Sequence, residues 1–319
     1  MSKKKLVSIV VSVYNEEESL PELYRQLKQV LSQCHKVDHE IIFVNDGSKD
    51  DSLAILQYLV KSDQKVRVVN FARNFGHEIA MTAGLDHSRG KAVIFMDADL
   101  QHPPKLILQM IEKWLDGYDL VLTKLIRNED KSLFRTIITK SFYRILNLVS
   151  DVKITEGAPD FRLVGEKYIA TLKNMREGRR MFRGMLKWLG LFNVAEIEFY
   201  APKRFAGKSH YNLRKSLQLA LDSILQFSIK PLRISIYFSM ICAIGALSFG
   251  IWTIYEHYAL QHPSTGYASI VCLIVFLFSL QFIILGIIGE YVGRIHIESK
   301  NRPLYFADVI ENNADRDFV

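Results

Sequence analysis

Two long stretches in the last third of the chain carry no formal charge. Neither Ile234 to Tyr255 nor Tyr267 to Gly289 contains Asp, Glu, Lys or Arg. Each is long enough to cross a hydrocarbon core of about 30 Å as a helix. Two buried helices of a soluble core are the alternative, disfavoured by this length and lack of charge. Lys230 and Arg233 precede the first run, and Arg294, Lys300 and Arg302 follow the second. The loop near Glu256 to Gly266 has no Lys or Arg. The positive-inside rule therefore puts that loop outside and both termini in the cytoplasm, as in a multi-pass protein of the inner (plasma) membrane.

The rest of the chain reads as soluble. Lys3 to Lys5 are basic, but Leu6 to Val13 is short and β-branched, which predicts a strand rather than a cleavable signal. Cys34, Cys242 and Cys272 are scattered and form no disulfide or zinc framework. The net charge of +7 suits anionic headgroups and phosphorylated substrates. No nucleic-acid-binding motif is present, so nucleic acid is not an expected partner.

Strand and helix patterns alternate from the start. Strands are predicted at Leu6 to Val13, Glu40 to Val44, Lys65 to Phe71, Lys91 to Met96 and Tyr118 to Lys124, with helices between them. That order predicts a mostly parallel α/β sheet, whose ligands bind beyond the carboxyl ends of the strands. Polar clusters at Asn15, Asp46, Arg73 and Asp97 all fall at such ends, which predicts one shared site.

The last of these is the most chemically specific. In Met96-Asp97-Ala98-Asp99-Leu100-Gln101, carboxylates follow the apolar run Ala92 to Phe95. If the segment stays extended, positions i and i+2 point the same way, and Asp97, Asp99 and Gln101 converge. Close carboxylates call for a cation, and a hard divalent ion such as Mg²⁺ or Mn²⁺ takes oxygen ligands while leaving room for a phosphate. A solvated turn is the bland alternative for an isolated Asp-x-Asp; the neighbouring polar strand ends weigh against it.

Further along, Lys131 to Val149 predicts an amphipathic helix suited either to a membrane surface or to packing on the sheet. Glu156 to Leu163 reads as a polar turn, and a strand is predicted near Ala195 to Tyr200. Pro202 to Tyr211 is a basic loop that could wrap an anion or simply be solvated. Leu213 to Ile229 predicts a second amphipathic helix leading into the first apolar run.

Taken together, these residues resemble the inverting family 2 glycosyltransferases of the GT-A fold. The likeness is nearer to polyprenyl-phosphate glycosyltransferases: bacterial bactoprenol glucosyltransferases and, more distantly, dolichyl-phosphate mannose synthase. It rests on Val11 to Glu17, Val44 to Ser48, Arg73 to Gly76, Asp97 to Gln101, Asp160 to Leu163, Arg204 to Ser209, the two apolar runs and Gly289 to Ile295. The resemblance implies a Rossmann-like GT-A catalytic domain over 1–212 and a juxtamembrane amphipathic helix over 213–232. Two membrane helices over 233–293 and a cytoplasmic tail over 294–319 complete it.

The resemblance also implies roles. Tyr14, Glu16, Asp46 and Asp97 would contact the nucleotide sugar. Asp99 and Gln101 would hold Mg²⁺ or Mn²⁺. Asp160 occupies the position often assigned to a catalytic base, though it could equally position the sugar or pair with Arg162. Arg204 and Lys208, with Arg127 and Arg135, would clamp the acceptor phosphate. The implied reaction transfers one sugar, glucose from UDP-glucose being favoured, to polyprenyl (undecaprenyl) phosphate. The implied assembly is a homo-oligomer, a tetramer among the possibilities, with small residues such as Gly245, Gly250 and Gly286 allowing close helix approach. Two rivals are a processive polysaccharide synthase and a catalytically silent nucleotide-sugar-binding scaffold. Glu177 to Arg183 lacks the Gln-x-x-Arg-Trp pattern of the former, and the intact acidic residues weigh against the latter.

Overall fold

The computed structural model describes residues 4–126, 159–178, 180–190, 192–200, 202, 230–259 and 266–311. They fall into two compact units, one holding the sheet and one the long apolar helices.

In the first unit, eight strands among the described residues form one sheet. They are β1 (Leu6–Val13), β2 (Asp38–Asn45), β3 (Val66–Phe71), β4 (Ala92–Asp97), β5 (Leu120–Leu125), β6 (Arg162–Gly165), β7 (Val194–Phe199) and β8 (Ala307–Ile310). Their order is β7-β5-β6-β4-β1-β2-β3-β8. Strands β4, β1, β2 and β3 run parallel, as their β-branched, doubly buried sequences predict. Antiparallel β6 and β8 interrupt the pattern.

The first helices are α1 (Leu20–Ser32), α2 (Ser52–Ser62), α3 (His77–Asp86) and α4 (Leu106–Leu115). Two more, α5 (Glu166–Asn174) and α6 (Phe182–Trp188), follow β6. The apolar face of α1 is Leu20, Leu23, Leu27, Val30 and Leu31, all buried. Each such side chain contributes about 2 kcal/mol on leaving water. They share a core with Ile9, Val11 and Phe43 of the sheet and with Leu56 of α2 and Met110 of α4. Helix α3 covers the opposite face so closely that a Cβ on Gly84 would lie 2.1 Å from a Val10 methyl. This packing fixes the start of α3 against the ends of β1 and β2, where the site lies.

Two stretches depart from expectation. Arg162 to Gly165 pairs with both β4 and β5 as a strand, so the predicted polar turn ends at Phe161. The supposed tail returns to the sheet: β8 pairs antiparallel with the edge strand β3, and Tyr305 stacks on Phe71 at 5.2 Å. A sheet edge that would otherwise be open is thereby covered.

The second unit contains α7 (Lys230–Ala259, 30 residues) and α8 (Tyr267–Ser299, 33 residues). Both are long and apolar enough to cross a membrane. Their large apolar side chains, including Ile236, Met240, Phe282 and Ile283, face outward. The amphipathic segments at 131–149 and 213–229 lie outside the described residues.

Candidate active site

The site forms where β1, β2 and β4 end. Asp46 follows β2, and its buried carboxylate accepts hydrogen bonds from the backbone N–H of Phe75 (2.6 Å) and Gly76 (3.0 Å). Burial pushes this carboxyl above its usual range, against the pull of those donors. Gly47 makes the approach possible. Its φ is +65°, and a Cβ there would lie 2.5 Å from the Arg73 carbonyl carbon. Asp46 is therefore a clamp on the loop from Arg73 to Gly76.

Tyr14 is exposed beside this loop system. The next residues are pinned to the β2–α2 loop. Asn15 N–H donates to Ser48 Oγ (3.0 Å), Lys49 N–H to Asn15 Oδ1 (2.8 Å) and Glu16 N–H to Ser52 Oγ (2.9 Å). The Glu16 carboxylate accepts from Ser19 Oγ at 2.6 Å, at the entry to α1.

Strand β4 stops at Asp97, and the chain then turns, with Leu100 at φ +61°. The extended geometry that would align Asp97, Asp99 and Gln101 is thus absent beyond Asp97. The turn is held internally instead. Asp99 Oδ1 accepts from Gln101 N–H (3.1 Å), and Asp97 N–H donates to His102 Nδ1 (3.0 Å). His102 is buried and stacks on Phe161 at 5.0 Å. That stack joins the turn to the segment carrying Asp160.

Asp97 and Asp160 come together around His77, the first residue of α3. His77 Nε2 lies 3.5 Å from Asp97 Oδ1 and 3.7 Å from Asp160 Oδ2. Its Nδ1 is 3.0 Å from Ser12 Oγ, and the same hydroxyl donates to Asp97 Oδ1 at 3.1 Å. Burial alone would lower the imidazole pKa, but Asp97 and Asp160 outweigh it and raise it from 6.5 to about 10. Asp160 is also paired with the buried Arg162 guanidinium and lies 3.3 Å from Arg183 Nε of α6. Burial opposes its ionisation, yet Arg162, His77 and Arg183 hold it far below the usual carboxylate range. Glu78, next along α3, accepts from Phe182 N–H at 2.9 Å; burial and nearby Asp160 push its carboxyl up.

The Asp160–Arg162 partnership expected from sequence is present. His77, His102 and Arg183 are additions. The signal for His77 was its place directly after Arg73-Asn74-Phe75-Gly76, but its partners are distant in sequence. Arg127, Arg135, Arg204 and Lys208 lie outside the described residues.

Among the described residues, no three His, Cys, Asp or Glu side chains are grouped to hold a metal. Asp99 and Gln101 nevertheless offer hard oxygen donors on one turn. That donor set fits a divalent ion whose remaining ligands come with a diphosphate.

The pattern of glycosyl transferase family 2 matches residues 8–172, which span these strand ends. The chain belongs to glycosyl transferase family 2. A second pattern, the GtrB C-terminal hairpin, matches residues 230–295 and so covers α7 and most of α8. Bactoprenol glucosyl transferase of Shigella phage SfV is 38% identical over 97% of this chain and 99% of its own. The prophage bactoprenol glucosyl transferase homolog of Escherichia coli K12 is 38% identical over 94% and 97%. Among solved structures, mannosyl-3-phosphoglycerate synthase from Rubrobacter xylanophilus gives a TM-score of 0.49 at 14% identity, covering 82% of this chain and 78% of that one. A likeness at that level bears on neither substrate nor mechanism. This family 2 protein is a glycosyltransferase with two apolar C-terminal helices.

Proposed function

We propose that this family 2 enzyme transfers one glucosyl unit from UDP-glucose to a polyprenyl phosphate at the cytoplasmic face of a membrane, with inversion. The observation that carries the reading is the gathering of Asp97 and Asp160 around fixed cations at the strand ends, on a chain that also carries an apolar helix pair. The names of the nearly full-length relatives point the same way.

In this reading an acceptor phosphate oxygen bonds to the sugar anomeric carbon as the bond to the nucleotide diphosphate breaks. A phosphate monoester has a second pKa of about 6, so the acceptor is already anionic near neutrality and needs no base. That agrees with Asp160, whose low pKa makes it a poor proton acceptor and a good fixed charge. Its role is to orient Arg162, Arg183 and His77. Asp97 contacts the donor sugar, and the loops around Tyr14, Glu16 and Asp46 frame the nucleotide. Asp99 and Gln101 would hold Mg²⁺ or Mn²⁺, which supplies charge stabilisation to the leaving diphosphate. Arg127, Arg135, Arg204 and Lys208 are proposed as the acceptor phosphate clamp. Helices α7 and α8 would anchor the enzyme, with both termini cytoplasmic and with self-association through small residues.

The test is sugar transfer by purified protein in lipid, with Mg²⁺ or Mn²⁺, undecaprenyl phosphate and a panel of labelled nucleotide sugars. Label entering the organic phase from UDP-glucose is the expected result. Water-soluble polymer would indicate a processive synthase, and nucleotide binding without transfer from any donor would indicate a silent scaffold.

A further inference from the structure

His77 occupies a place that its sequence context does not explain. A helix N-terminus repels a cation. Yet the imidazole that starts α3 is held there by carboxylates from two other elements. Its neighbours are arranged to receive hydrogens from both ring nitrogens. The Ser12 hydroxyl has one proton and donates it to Asp97 Oδ1. With its proton on that carboxylate, the hydroxyl oxygen is left to accept from Nδ1, so the geometry matches the tautomer in which Nδ1 carries hydrogen. Among the described residues Nε2 is paired with carboxylate oxygens of Asp97 and Asp160, partners that an N–H there suits. The imidazole thus joins three elements: Ser12 of β1, Asp97 of β4 and Asp160 before β6.

We propose that His77 is a positioning residue for sugar transfer, a cationic bridge that fixes Asp97 relative to Asp160. The inference rests on the glycosyl-transfer reading of the site. Asp97 belongs to the donor side of that reading, and Asp160 orients the arginines beside it. Without the bridge the two carboxylates repel and separate, and small misplacements at a reacting centre cost about a hundredfold in rate. Asp160 keeps Arg162 and Arg183, so the fold survives while the alignment is lost.

The experiment compares wild type, His77→Gln and His77→Lys in the lipid-linked transfer assay, with thermal unfolding as the folding control. His77→Gln is expected to lower kcat by about a hundredfold with little change in donor KM. His77→Lys, which keeps a cation and its donors, is expected to restore most of the lost rate. Near-wild-type kcat in His77→Gln would overturn the proposal. So would equal loss in both variants at unchanged melting temperature, because shape and not charge would then be the requirement. A second measurement is independent of turnover: ¹⁵N-histidine NMR of the wild type near neutral pH, with His77→Lys used to assign the resonance. Both ring nitrogens protonated supports the bridge, and a single protonated nitrogen overturns it. Wild type that transfers no sugar would defeat the functional reading alone, leaving the bridge to be decided by the NMR result.

Discussion

The sheet has a group of buried charges toward each end of its strands, and the two are built differently. Toward the amino ends, Glu40 accepts from Ser8 Oγ (2.5 Å), Arg89 N–H (2.8 Å) and Arg67 Nη1 (3.3 Å). Arg67 also donates to the His87 carbonyl (2.8 Å) and to Glu311 (2.7 Å). At the carboxyl ends, Asp97 is 35% exposed and shares His77 with Asp160. In the first group the Glu40–Arg67 pair is buried among fixed protein donors, and Arg67 ties β8 to the sheet through the partly exposed Glu311. The second has an open side, where a substrate can complete its charge balance. Charge burial alone does not set the proposed site apart; the exposure of Asp97 does.

The largest effect expected from breaking this contrast is at the open end. Asp99→Asn removes a proposed metal ligand from a turn whose backbone bonds remain. Transfer should fall by at least about a hundredfold, with the melting temperature unchanged. Full metal-dependent activity in this variant would remove Asp99 from the ligand set. At the closed end the pattern reverses. Arg67→Met leaves Glu40 buried without its cation and should cost about 3 kcal/mol or more of stability. Denaturant unfolding would measure that loss, while kcat per folded molecule should hold. A selective loss of kcat would give the closed cluster a role in turnover.

Much of this was legible in the sequence, for local reasons. The parallel strands are long β-branched runs, and α1 shows its apolar face in the spacing of Leu20, Leu23 and Leu27. The polar strand ends pointed to the candidate site because the topology of α/β sheets places ligands there. The misses are non-local. Strands β6 and β8 are four residues each and are defined by the strands they join. The i, i+2 rule failed after Asp97 because the chain turns, with Leu100 left-handed. His77 could not be read as a bridge, since its partners converge only in the folded sheet. The hold of the Asp46 carboxylate on the Phe75 and Gly76 amides, which shapes the loop proposed to frame the nucleotide, was equally hidden, since no local pattern connects the two segments.

A smaller effect separates β8 from the rest of the closed cluster. Glu311→Gln keeps the shape of the side chain but weakens its charge-assisted bonds to Arg67 and Arg89. The expected cost is about 1 kcal/mol. Hydrogen exchange should show it first as faster exchange across β3 and β8. Unchanged protection there would mean that backbone pairing and the Tyr305–Phe71 stack suffice to hold the returning segment.

The smallest effect, and the one that reads both clusters at once, is the dependence of stability on pH. Burial opposes ionisation of Glu311, but Arg67 and Arg89 hold its carboxyl below the usual range. A lowered carboxyl pKa stabilises the folded state fully above the unfolded value, and that contribution is lost as pH falls through the folded one. His77 has the opposite sign. It is faced by Asp97 from β4, Asp160 before β6 and Glu78 on its own helix, with Arg162 and Arg183 across Asp160. Its contribution is complete below 6.5 and is lost as pH rises through about 10. The melting-temperature gap between wild type and Glu311→Gln should therefore close on the acid side only. The gap between wild type and His77→Gln should close on the alkaline side only. If the His77→Gln gap stayed constant up to and beyond pH 10, the imidazole would carry no charge at the open end. The contrast between a closed, arginine-held cluster and an open, histidine-bridged one would then reduce to a difference in exposure.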